Sequence, residues 1–119
     1  MGKKQIVICD DEEGVRESLN LILGDDYNLA FTRDGKETLT YLKHHNPDVV
    51  IMDIKMPYKN GIEILKELRK DKPDLKVIIV TGYQSVETAR ETVKYGICEY
   101  ITKPFDGSRI KEAVRKAIQ

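Results

Sequence analysis

The residues best equipped for chemistry in this sequence are a scattered set of acids, one hydroxyl and one amine. They are Asp10-Asp11, Asp53, Thr81 followed by Gly82, and Lys103 followed by Pro104. Carboxylates brought together repel, and their pKa values rise unless a cation joins them. Hard oxygens without histidine or cysteine select Mg2+, or Mn2+, over zinc. A divalent ion held by one or two carboxylates completes its shell with water and phosphate oxygens. Lys103 would add charge for another phosphate oxygen, Thr81 a hydrogen bond for a third, and Gly82 leaves space. Such a set neutralises a phosphoryl group in transfer, which is most of what that chemistry requires. No serine or cysteine has a base nearby, so the nucleophile must be a carboxylate, and aspartyl-phosphate formation is an established use of Asp. Asp53, alone after an apolar run, is the natural acceptor.

Each of these residues has an ordinary explanation when taken alone. A strand-end Asp is usually a cap or turn residue, Thr81 an ST-turn, Lys103 a solvated amine. Their meaning depends on whether the chain brings them together. Short β-branched runs occupy 5–9 (QIVIC), 27–32, 49–52 (VVIM), 76–80 (KVIIV) and 99–102. Between them lie amphipathic stretches. The clearest has Ile110, Ala113, Val114, Ala117 and Ile118 at helical spacing. Another puts Val86, Ala89 and Val93 on one stripe. A third has Gly61, Ile64, Leu65 and Leu68 inward, with Lys66, Glu67, Arg69 and Lys70 facing water. Weaker helical patterns cover 15–23 and 39–42. Asp34, Asn60 and Ser85 are placed to cap helices, and Asn46-Pro47-Asp48 and Lys72-Pro73-Asp74 to end them.

Five βα units predict an α/β fold, a single-domain (βα)5 doubly wound parallel sheet over 1–119. VVIM and VIIV are apolar throughout, as strands buried on both faces should be. In such sheets ligands bind beyond the carboxyl ends of the strands. Four of the five strands deliver an acid, a hydroxyl or an amine to that one edge: Asp10-Asp11, with Glu12-Glu13 following, then Asp53, Thr81 and Lys103. Asp25-Asp26 precedes a strand, so it falls at the opposite edge and reads as a loop.

Composition narrows the function classes. The 119 residues suit one domain, and 40% hydrophobic with 34% charged residues exclude a disordered chain. Twenty basic and twenty acidic residues balance, which argues against bulk binding to nucleic acid or to an anionic membrane. No apolar run approaches a membrane span. Met-Gly-Lys-Lys leads straight into a strand, unlike a signal peptide, and Ile6 stands where a myristoylation signal wants Ser or Thr. Cys9 and Cys98, far apart, are expected to be buried reduced thiols of a cytoplasmic protein. His44 and His45 are adjacent, cannot chelate from one helix face, and read as surface residues.

The motifs together resemble the receiver domains of bacterial two-component response regulators. They are Asp10-Asp11, the run DIKMP from Asp53 to Pro57, Asn60-Gly61, Thr81-Gly82-Tyr83, and KPF from Lys103 to Phe105. Order and spacing match along the whole chain. DIKMP, TGY and TKPFD look most like stand-alone sporulation phosphorelay receivers or NtrC-type receivers. The resemblance implies a flavodoxin-like strand order 2-1-3-4-5 and a cis bond at Lys103-Pro104. It implies that Asp53 is phosphorylated by a sensor histidine kinase or a histidine phosphotransfer protein. Asp11 and Asp53 would bind Mg2+ directly, with the Lys55 backbone carbonyl, and Asp10 through metal-bound water. Thr81 and Lys103 would hold phosphoryl oxygens, and Tyr100 would be the aromatic switch partner of Thr81. The face of the fourth helix, fifth strand and fifth helix, with Arg90, Glu91, Lys94, Tyr95, Lys111 and Arg115, would be the output or dimer surface.

Departures sharpen the expectation. Tyr58 and Asn60 stand where many members carry Gly and Asp. Lys55 and Tyr83 border the path of an attacking water and orient it poorly, which predicts a slowly hydrolysed aspartyl phosphate. Gly14, Val15, Ser18, Pro104 and Phe105 are the expected contacts for a docking phosphohistidine bundle, and Leu21 also falls off the apolar stripe. Such a protein catalyses its own phosphorylation and dephosphorylation without being a turnover enzyme. Three rival readings fit the sequence less well. A haloacid dehalogenase-type hydrolase wants an Asp two residues after its nucleophile, where Lys55 stands, and the reverse motif order. A flavin-binding module wants hydroxyl- and Gly-rich phosphate loops. A degenerate receiver would lack one of the required residues, and all are present. The chain ends just after its fifth helical stretch, as either a free-standing receiver or a fragment of a longer regulator would.

Overall fold

The computed structural model describes residues 2–55, 60–82 and 85–119. Five strands alternate with five helices: β1 (Gln5–Cys9), α1 (Glu13–Leu23), β2 (Asn28–Thr32), α2 (Gly35–His44), β3 (Val49–Met52), α3 (Gly61–Asp71), β4 (Lys76–Thr81), α4 (Val86–Lys94), β5 (Glu99–Thr102) and α5 (Gly107–Ile118). The strands form one parallel sheet in the order β2-β1-β3-β4-β5, as expected. β2 starts at Asn28 rather than at Tyr27, whose amide is still bonded to Leu23 of α1.

Alternate strand residues point to opposite faces, and this splits the core in two. Ile6, Ile8, Val49, Ile51, Ile78 and Val80 pack with α1 and α5. Val7, Cys9, Val50, Met52, Val77 and Ile79 pack with α2 and α3. A central strand feeding both clusters has no polar face, which explains the unbroken runs VVIM and VIIV. The expected caps form: Asp34 accepts from the Glu37 amide, Asn60 from Ile62 and Ser85 from Thr88.

Two glycines fix the geometry around β3 and α4. A side chain at Gly61 would put its Cβ 2.5 Å from the Ile54 Cα, and the Gly61 amide donates to the Ile54 carbonyl at 2.8 Å. Only glycine lets α3 start this near the end of β3. Gly96, after α4, has φ +76°, a conformation that favours glycine.

α4 does not lie as its apolar spacing suggests. Val86 and Val93 are 66% and 64% exposed, so that stripe faces solvent. The inward residue is Thr92, fully buried, with its hydroxyl donating to the Ala89 carbonyl. The cause lies at the helix end. Tyr95, three residues on and on the same face, packs on the core, and its carbonyl is held by the Arg69 guanidinium. Arg69 also donates to the Gly96 and Lys72 carbonyls, so it joins the ends of α3 and α4 instead of facing water. Glu67 is likewise only half-exposed. A second correction concerns the thiols: Cys9 is buried, but Cys98 is exposed in the connection before β5. Its amide donates to the Val77 carbonyl, at the amino end of the sheet. His44 and His45 are exposed, with His45 stacked on Tyr41.

Candidate functional site

The strand order reverses between β1 and β3, so their carboxyl ends border a crevice. Cys9 is in register with Met52, so the next residues, Asp10 and Asp53, stand side by side. The ladder continues one step further: the Asp53 amide donates to the Cys9 carbonyl and the Asp10 amide to the Thr32 carbonyl, both at 3.1 Å. Lys103 follows β5, and its amide donates to the Thr81 carbonyl at 2.9 Å. The backbone thus sets all four positions before any side chain is considered.

The two buried carboxylates are held alike. Asp10 Oδ1 accepts from the Glu12 amide at 2.9 Å, and Asp53 Oδ1 from the Lys55 amide at 3.0 Å. Each leaves its Oδ2 to Lys103 Nζ, at 2.9 Å from Asp10 and 2.8 Å from Asp53. Glu12 Oε1 is the third partner of that ammonium, at 3.1 Å. Asp10 and Asp53 are only 2% and 3% exposed, and Thr81 is fully buried at the end of β4. Burial raises the Asp10 pKa, with Lys103 opposing and the Asp53 charge reinforcing the rise. Burial alone would lower the Lys103 pKa, but the Asp53 and Asp10 carboxylates outweigh it and hold the amine protonated.

These acids fit a hard divalent cation. Ligand oxygens of Asp10, Asp11, Glu12 and Asp53 all lie within 4.8 Å of one another. The donors are carboxylate oxygens alone, which suits Mg2+ or Mn2+. Asp11 and Glu12 are exposed and give the set a mouth to solvent.

Most of the residues expected from sequence come together here: Asp10, Asp11, Asp53 and Lys103 meet directly, and Thr81 ends the neighbouring strand. Lys55 is exposed beside Asp53, and the Lys103-Pro104 bond is cis. Tyr100 is half-buried in β5 against the α2/α3 core. Gly14, Ser18, Pro104 and Leu21 are exposed, as a contact surface requires. Val15 and Phe105, by contrast, are half-buried and pack against the α1/α5 core. Met56, Pro57, Tyr58, Lys59 and Tyr83 lie outside the described residues. Glu12, directly after Asp10-Asp11 at the same edge, joins Asp10 and Asp53 around the Lys103 ammonium, a contact the sequence did not single out. Its one signal was its place directly after Asp10-Asp11, where an acid before a helix also passes for dipole complementarity.

The sequence matches the response regulator receiver domain family over residues 6–115. Among curated proteins it is similar to regulatory protein AtoC of Escherichia coli, 37% identical over 97% of this chain and 25% of that protein. It is similar also to transcriptional regulatory protein HptR of Staphylococcus aureus, 34% identical over 97% of this chain and 46% of that one. The chain therefore spans less than half the length of these curated relatives. Among solved structures, a CheY-like receiver domain protein from Methanospirillum hungatei superposes with TM-score 0.93 at 29% identity, covering 98% of this chain and 94% of that one. A receiver domain protein from Clostridium thermocellum gives 0.89 at 31% identity, covering 97% and 94%. Together with the paired acids and the ammonium at the sheet's switch point, these matches show that the chain belongs to the response regulator receiver domain family, the phosphoacceptor module of two-component signalling and not a classical turnover enzyme.

Proposed function

We propose that Asp53 is the phosphoacceptor. A carboxylate oxygen of Asp53 attacks the phosphorus of a phosphohistidine on a sensor kinase or phosphotransfer protein. An O–P bond forms, the N–P bond breaks, and the imidazole leaves with a proton from solvent. The observation that carries this reading is Asp53 itself, buried yet held at both oxygens, by the Lys55 N–H and by the Lys103 ammonium. Donors of this kind stabilise the charge that builds on the phosphoryl oxygens. Lys103 compensates that charge, Thr81 offers a hydroxyl from the adjacent strand end, and Asp10 keeps the ammonium aimed inward. Asp11 and Asp53, with the Lys55 backbone carbonyl and Asp10 through water, would hold Mg2+, which when bound supplies further charge neutralisation.

Exposed Gly14, Ser18 and Pro104, backed by Val15 and Phe105, form the surface proposed for the phosphohistidine donor. Tyr100 and Thr81 are proposed as the switch pair, and the face of α4, β5 and α5 as the contact for an output domain or downstream protein. Lys55 and Tyr83 would slow hydrolysis of the phosphoaspartate. No described helix is long and apolar enough to cross a membrane; a cytoplasmic site of action is proposed from membership of the receiver family.

The test is incubation with acetyl phosphate and Mg2+, followed by intact mass. The parent should gain one phosphoryl group and Asp53→Asn none; labelling of the variant, or none of the parent, would overturn the assignment.

A further inference from the structure

Lys103 places its ammonium against three carboxylates: Asp53, Asp10 and Glu12. An ammonium has three N–H donors, so this one is saturated. Its partners differ. Asp10 and Asp53 are buried, whereas the Glu12 side chain is 61% exposed at the mouth. All three belong to the group of acids whose oxygens crowd within 4.8 Å. The ammonium therefore stands where these acids would draw a divalent cation, and two cations repel strongly at such separations. Lys103 must give ground when one binds. Its backbone is fixed through its amide to Thr81, so only the side chain can swing. Asp10 and Asp53 lie on the inner side of the ammonium, and Glu12 is the one partner on the outer side.

We propose that Glu12 is a positioning residue for Lys103: it is the outer berth to which the ammonium moves from between Asp10 and Asp53 when a divalent cation enters. This rests on the divalent-cation reading of the site given above. Glu12 acts through Lys103, neither as a plain negative charge nor as a ligand. With Glu12 in place, the displaced ammonium keeps a partner near the acceptor. Without it, the ammonium holds to Asp10 and Asp53 and resists the incoming ion.

A double-mutant cycle separates these roles. Mn2+ binding to the full chain is followed by loss of the free-ion electron paramagnetic resonance signal, in the parent, Glu12→Gln, Lys103→Met and the double variant. Glu12→Gln should weaken binding about fivefold when Lys103 is present, the scale of a half-exposed ion pair. In the Lys103→Met background the same change should cost less than about twofold. Equal losses in both backgrounds would make Glu12 a ligand or a simple charge and overturn the proposal, as would no loss in either. A parent that binds no Mn2+ would overturn the cation reading itself, and this proposal with it. A second measurement needs no Lys103 variant. In 15N-lysine spectra with saturating Mg2+, the Lys103 ammonium resonance should persist in the parent and broaden away in Glu12→Gln. Its persistence in the variant would show that Glu12 holds nothing.

Discussion

The two ends of the sheet use the same residue types for different purposes. At the carboxyl end, Asp10 and Asp53 are buried, each shared between one amide and one ammonium. At the amino end, Asp48 spends a carboxylate oxygen on the Gln5 amide at 2.8 Å, and Asp25-Asp26 sit in the turn before β2. The cysteines divide in the same way: Cys9 is the last residue of β1, inside, and Cys98 lies before β5, outside. An acid in a parallel sheet thus takes its role from the end at which its strand delivers it. One end gathers charge around a single amine, and at the other Asp48 holds a strand amide.

The contrast breaks most sharply at the acceptor. Asp53→Asn should abolish phosphoryl uptake from acetyl phosphate, while Asp48→Asn should leave it at the parent level by intact mass. Thiol alkylation should differ by orders of magnitude. Burial pushes the Cys9 thiol up to about 11, so roughly one in a thousand is ionised at pH 8. Native protein should therefore consume one equivalent of iodoacetamide, at Cys98, and a second only after denaturation. Because the Cys9 pKa is raised, its labelling should climb with pH only toward about 11; rapid labelling of Cys9 at pH 8 would refute its burial. Lys103→Met leaves two buried carboxylates without their cation and should cost about 3 kcal/mol in metal-free urea unfolding. Millimolar Mg2+ should restore much of this by binding the folded state. Smallest is Asp48→Ala, which should cost about 1 kcal/mol for a half-buried bond to an amide and leave phosphoryl uptake untouched.

How far the sequence could be read follows the same division. The sheet was legible because strands buried on both faces leave uninterrupted apolar runs, and its order came with the family resemblance. The site was legible because Asp10, Asp53, Thr81 and Lys103 each directly follow or end a strand, and parallel strands carry such residues to one edge. The orientation of α4 was not legible. Spacing shows that Val86 and Val93 share a side, but it does not say whether that side meets the sheet. The answer lay in Arg69 and Tyr95, brought together only by the fold. The Glu12 contact escaped for a related reason, since its partner stands 91 residues away. Cys98 escaped because an apolar thiol beside a strand normally signals burial, and here the chain has not yet entered the sheet.

The Arg69 fork has a mechanical consequence. It ties α4 at its tail, while the head, beyond Thr81, carries Val86 against solvent. Nine residues at the usual helical rise make a lever of about 13 Å. A tilt of about five degrees around the tied end would therefore carry Ser85 by roughly 1 Å, and Tyr95 hardly at all. Any such tilt would be graded along the helix, and a label on Val86 would report it far better than one on Lys94.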